Sequence, residues 1–71
     1  MGMSEKIRIA LIKRGNKSIT WLSKEIGTST QNLAGKIKRD NFSEKELIEI
    51  AEALNCNFKG EFIDKETGEV L

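Results

Sequence analysis

The sequence predicts a mainly α fold, a compact bundle of short helices closed by a short C-terminal β-hairpin or strand. Three observations predict it. Apolar residues recur at helical spacing in four separate windows between Ser4 and Asn55. Each window opens on a serine able to cap a helix N-terminus: Ser4, Ser18, Ser29 and Ser43. Beyond Asn55 the helical period gives way to alternation, with Phe58, Gly60 and Phe62 set against Lys59, Glu61 and Ile63.

The first helix runs from a Ser4 cap to about Arg14, with Ile7, Ala10, Leu11 and Arg14 on one inward stripe. Ile9 and Ile12 fall off that stripe. Either the apolar face is wide, or these two meet the C-terminal tail or a second subunit. Gly15 and Asn16 end the helix, since both tolerate the left-handed conformation. The second helix follows a Ser18 cap and points Ile19, Leu22, Ser23 and Ile26 inward. Ser23 is small where two helices must approach closely, and Gly27 supplies the left-handed residue after the last turn.

Ser29 caps the third helix, which Leu33 and Ile37 anchor from four residues apart. Thr30, Gln31, Asn32, Gly35, Lys36 and Lys38, or most of them, make its outward face. The fourth helix carries a Ser43-x-x-Glu46 capping box, with Phe42 placed to staple onto Leu47. Leu47, Ile50, Ala51 and Leu54 form its core stripe, and Asn55 ends it. In the tail a strand over Phe58–Ile63 is expected, then a turn at Asp64–Gly68 and a short return strand over Glu69–Leu71. Phe58 and Phe62 should share one face. Trp21 should pack against the first helix or the tail, and Cys56 should be a small buried residue rather than a reactive thiol.

Residues 1–3 read as a cloning leftover ahead of a native start, 4–55 as one helical domain and 56–71 as its hairpin extension. A chain of 71 residues holds one small core. One Cys and no His exclude an internal disulfide, a zinc finger and His-dependent catalysis. No carboxylate pair, Ser-Lys pair or Gly-rich phosphate loop stands out, so an enzyme reading has no chemistry to rest on, and no cofactor or small-molecule ligand is expected. No apolar run approaches a membrane span, which takes about 18 residues, and no signal-peptide pattern opens the chain. A reducing bacterial cytoplasm is the expected compartment.

The net charge of +1 hides a split. Residues 1–39 hold nine bases against two acids, and residues 40–71 hold three bases against nine acids. Such polarity suits a molecule with one face toward phosphate. The basic half coincides with residues 18–39, two short helices joined by a tight turn at Gly27, which is the form of a helix-turn-helix.

In such a unit the second helix must be fixed on its inner side and must present short or amide side chains to base edges. Leu33 and Ile37 do the first. Thr30 and Gln31 are the expected readers, since Gln can grip adenine N6 and N7 while the Thr methyl meets a thymine methyl. Gly35 lies one turn on, either allowing close approach or contributing nothing. Ser29, Asn32, Lys36, Lys38 and Arg39 suit phosphates, as do Ser18 and the Asn41-Phe42-Ser43 segment at the start of the fourth helix. Against this stands the ordinary alternative, that Thr30 to Asn32 are a solvated face and that Lys36, Lys38 and Arg39 only complement the helix dipole.

The runs LSKEIGTSTQNL (residues 22–33) and FSEKELIEIAEALNC (residues 42–56) resemble the Cro/repressor-type, XRE-like helix-turn-helix family of phage and bacterial regulators. The resemblance spans about residues 4–55. It implies a lambda-repressor-like bundle of four or five helices, no cofactor, and an operator of two half-sites bound by a homodimer. It places Thr30 and Gln31 at base-contacting positions, with Ser18, Asn32, Lys36 and Ser43 near phosphates. Three departures stand out. Ile19 replaces a usual Gln, Lys36 stands where an apolar residue is usual, and Arg39-Asp40-Asn41-Phe42 replaces a Gly-containing turn.

The expected function is therefore a sequence-specific double-stranded DNA-binding regulator, a repressor, with the dimer formed through the C-terminal strand. The alternative is a protein-interaction module of antitoxin or anti-repressor type with weak DNA binding. Its motives are the acidic second half, Ile9, Ile12 and the apolar tail.

Overall fold

The computed structural model describes residues 2–71. Four helices are followed by a two-stranded antiparallel sheet: α1 (Met3–Lys13), α2 (Ile19–Ile26), α3 (Thr30–Arg39), α4 (Glu44–Ala53), β1 (Cys56–Phe58) and β2 (Phe62–Asp64). This is the mainly α class with a C-terminal hairpin, and among the described residues there is no fifth helix. Ile7, Leu22, Leu33 and Ile50, one from each helix, are at most 1% exposed and meet in a single core with Cys56 and Phe62. No helix is long and apolar enough to cross a membrane.

Three of the helix starts are made locally. The hydroxyls of Ser18, Ser29 and Ser43 accept from the backbone N–H groups of Trp21, Asn32 and Glu46. At α4 the box is reciprocal, because the Ser43 N–H donates to Glu46 Oε1 at 2.9 Å. The α2 end is also local, with Gly27 at φ 76°.

The first helix differs from expectation. It begins at Met3 behind Gly2, which offers no side-chain cap. Ser4 instead turns to the far end of α3, donating its hydroxyl to the Ile37 carbonyl at 2.6 Å. The cap arrives from elsewhere in the chain. Asp40 Oδ1 accepts the Ser4 N–H at 2.9 Å and lies 3.0 Å from its hydroxyl. Asp40 therefore joins two helix ends, since its own backbone closes α3 in the left-handed conformation at φ 53°. Asp is one of the few non-Gly residues that take this conformation readily, which is how the chain turns here without glycine. Of the residues read as a leftover, Met1 lies outside the described residues, and Met3 packs against the core.

The tail is also corrected. The strand expected over Phe58–Ile63 is broken at Lys59-Gly60-Glu61, where Gly60 takes φ 73°. A three-residue hairpin loop needs a residue in this region, so Gly60 belongs to the turn and not to the alternation. The register pairs Cys56 with Asp64, Asn57 with Ile63 and Phe58 with Phe62. The two phenyl rings lie 5.3 Å apart on one face. The second turn forms where expected: Asp64 Oδ1 accepts the N–H groups of Glu66 at 2.7 Å and Thr67 at 3.2 Å. The return segment is a single bridge, Ile63 to Val70, rather than a strand.

Ile9 is half-buried beside Phe62, Val70 and Leu71, so the tail covers it, whereas Ile12 stays 62% exposed. Trp21 packs on the core among Arg14, Ala53 and Leu54, at the ends of α1 and α4 rather than on the tail, with Lys17 Nζ 5.1 Å from its ring centroid.

Candidate nucleic-acid interface

Helices α2 and α3 follow one another across the short turn at Gly27. The seam between them is tight because Ser23 is small and 1% exposed. Its hydroxyl lies 2.8 Å from the Thr20 carbonyl and 3.1 Å from Thr30 Oγ1. Serine has one hydroxyl proton, and the Thr20 carbonyl can only accept. Ser23 therefore donates to Thr20, and Thr30 donates to Ser23. The proton of Thr30 is used within the fold, so this exposed residue has its methyl and a lone pair, but not that proton, to offer a ligand.

Leu33 and Ile37 are 1% and 5% exposed and lock the inner side of α3. The outer side holds Gln31, Ala34, Lys38 and Arg39, all exposed. Gln31 makes no side-chain hydrogen bond among the described residues, so its amide is free to pair. Ala34 went unnoticed in the sequence because its side chain carries no chemistry, although its place three residues after Gln31 was the available signal. Gly35 is half-buried under the Arg39 side chain; a Cβ there would sit 3.2 Å from Arg39 Nη1.

The residues expected at phosphates divide into two groups. Lys38, Arg39 and Asn41 are exposed, without a side-chain partner among the described residues. Ser18 and Ser29 use their oxygens as caps but keep a hydroxyl proton to give. Ser43, whose oxygen caps α4, keeps its hydroxyl proton in the same way, whereas Asn32 and Lys36 are engaged inside the fold. Asn32 Nδ2 donates to Thr28 Oγ1 at 2.8 Å. Lys36 pairs with Glu46 Oε2, tying α3 to α4 through the same carboxylate that completes the capping box.

Folding also moderates the charge split, because the halves pair with each other. Lys36 pairs with Glu46, Lys6 lies 4.0 Å from Glu61, and Arg14 lies 2.8 Å from Asp64. Three of the nine bases in residues 1–39 are thus matched by acids of residues 40–71. Arg14 explains its own place on the inward stripe. Its stem lies along the core while its guanidinium reaches Asp64 and also the Asn55 carbonyl at 3.3 Å. Asp64 is held below the usual carboxylate range by the Glu66 N–H, then by that of Thr67 and by Arg14.

No family model, curated protein or solved structure matches the chain. A rigid helix with a free amide, a small-residue surface and bases near its C-terminal end suits the edge of a polyanionic duplex. Among the described residues no group of three or more His, Cys, Asp or Glu is arranged to hold a metal ion.

Proposed function

We propose that the chain is a sequence-specific double-stranded DNA-binding regulator of the Cro/repressor helix-turn-helix type, a repressor that acts by occupying an operator. The observation that carries this reading is the two-sidedness of α3. Its inner side is locked by Leu33, Ile37 and the Thr30–Ser23 hydrogen bond, and its outer side leaves Gln31 unpaired beside Ala34 and Gly35. A reading helix needs both properties, since a side chain held to a rigid body can discriminate base edges. Gln31 would grip adenine, the Thr30 methyl would touch thymine, and Gly35 would let the backbone approach. Lys38, Arg39, Asn41, Ser18 and Ser29 would hold phosphates. Ser43, with its hydroxyl proton likewise free, would join them, while Asn32 and Lys36, already partnered, would set the docking angle.

A dimer of such units would span half-sites about 34 Å apart and bind with Kd of about 10⁻⁸ to 10⁻¹¹ M at physiological salt. The test is selection from a randomised duplex library at near-physiological salt. A reproducible enriched motif supports the reading, and a palindrome would give the half-site spacing. Absence of enrichment, with binding that vanishes as salt rises, removes it.

A second reading, a protein-interaction module with weak DNA binding, is favoured by the internal matching of Lys6, Arg14 and Lys36, which leaves fewer bases for phosphate. The same selection separates the two readings.

A further inference from the structure

Three large apolar side chains are strongly exposed among the described residues: Ile12, Ile48 and Val70. Val70 belongs to the hairpin through its bridge to Ile63. The other two lie on surfaces of opposite charge. Ile48, 45% exposed, borders a groove of about 410 Å³ between α2 and α4, floored by Ile26 and Ala53 and rimmed by Glu25, Glu49 and Glu52. Ile12, 62% exposed, stands on the outer side of α1 between Arg8, one turn before it, and Lys13. With Arg8 and Lys17 it borders a second groove, of about 300 Å³, against the start of α2.

Glu25, Glu49, Arg8 and Lys13 are exposed and make no ion pair among the described residues. Glu52 holds Lys65 at 3.0 Å and is only partly available. Each surface therefore has an uncovered isoleucine with unmatched charges predominantly of one sign beside it, Arg8 and Lys13 against Glu25 and Glu49, with Glu5 a turn before Arg8 and Lys45 a turn before Ile48 as the exceptions.

We propose that the α2/α4 groove receives the outer face of α1 from a second copy of this chain. Ile12 enters between Ile26, Ile48 and Ala53, and Arg8 and Lys13 meet Glu25 and Glu49. The occupant is a second copy because the required chemistry, an isoleucine flanked by bases on one helix face, is carried by the chain itself. In the proposed pair each copy gives its α1 face to the other's groove about a two-fold axis, in place of the open chain that a contact between unlike patches otherwise builds. Apolar area buried at the isoleucines supplies attraction, and the opposed rims fix the register and reject the like-charged pairing. This interface uses neither the outer side of α3 nor the C-terminal strand, and it stands whether or not the chain reads DNA.

The test is sedimentation velocity on the full chain without DNA, from micromolar to millimolar concentration. The expected wild-type result is a concentration-dependent dimer. Arg8→Glu and Glu49→Arg, both at exposed positions, should each weaken dimerisation by about tenfold or more, because each opposes like charges across the interface. An equimolar mixture of the two variants should dimerise again, since the reversed charges then face each other. Circular dichroism of each variant checks that the helices are intact. A wild type that stays monomeric overturns the proposal. So do single variants that dimerise as well as the wild type, a mixture that fails to recover, or a dimer lost on Val70→Lys, which would place the interface at the hairpin.

Discussion

The hydroxyls of Ser23 and Thr30 lie 3.1 Å apart across the turn of the helix-turn-helix, with Thr30 as the donor. This couples the angle between α2 and α3 to the residue that opens α3. It also restricts what Thr30 can offer a base, leaving the methyl rather than the hydroxyl proton. Thr30→Val keeps the shape and the methyl but removes the donor. It should cost about 0.5–1.5 kcal/mol of stability, the net worth of one hydrogen bond. A thymine preference resting on the methyl should survive. Urea unfolding and library selection on the variant check both parts. Gln31→Ala should do the reverse, leaving the urea midpoint unmoved and relaxing discrimination at one or two base pairs, by about 1–3 kcal/mol.

Lys36 and Lys38 have different partners within the fold and should respond differently to salt. Lys38 is exposed and unpaired among the described residues, whereas Lys36 is held by Glu46. If α3 docks on phosphate, Lys38→Ala should flatten the slope of log K against log salt by about one unit, the release of one counterion. Lys36→Ala should flatten it less, because its charge is already matched. It should also lower stability slightly, by loosening α3 from α4. Equal slope changes for both variants would show that Lys36 leaves Glu46 when DNA binds.

Acid should weaken the fold at two identifiable carboxylates. Asp40 is held below the usual carboxylate range chiefly by the Ser4 N–H. Asp64 is held low by the Glu66 N–H, the Thr67 N–H and Arg14. Both groups are more acidic folded than unfolded, so the unfolded chain takes up protons first as pH falls. Their stabilisation is complete above the unfolded value of about 3.9 and fades as pH drops toward the folded values. Tm should therefore fall between about pH 5 and the folded values. Asp40→Asn and Asp64→Asn should each lower Tm at neutral pH and make the acid limb shallower. Curves that run parallel to the wild type would clear that carboxylate of the role.

How much of this was legible in the sequence follows the range of the interactions. The starts of α2, α3 and α4 were readable because each cap bonds a residue only three positions on. So was the small Ser23 at the seam. The start of α1 was not, because its cap is Asp40, 36 residues away. Gly60 misled for a related reason. Within an alternating run a glycine fits either a strand or a turn, and only the pairing of Phe58 with Phe62 decides. In the candidate interface, exposure of Gln31, Lys38 and Arg39 followed from the positions of Leu33 and Ile37. The engagement of Lys36 with Glu46 did not, because it depends on how α4 crosses α3.

Gly35 is where stability and function can be separated in one substitution. It sits inside α3, where glycine costs roughly 0.5–1 kcal/mol relative to alanine. An added Cβ would approach Arg39 Nη1 at 3.2 Å, and that atom is the far end of a flexible side chain that can swing aside. The fold itself therefore gives glycine no advantage here, and Gly35→Ala should raise stability by about 0.5–1 kcal/mol, read from the urea midpoint. If the backbone of α3 comes close to a base edge at this point, the same methyl should weaken specific DNA binding while non-specific binding at low salt is unchanged. A variant that is more stable and binds its selected site as tightly as the wild type would remove Gly35 from the reading surface and leave Gln31 and Thr30 to carry it.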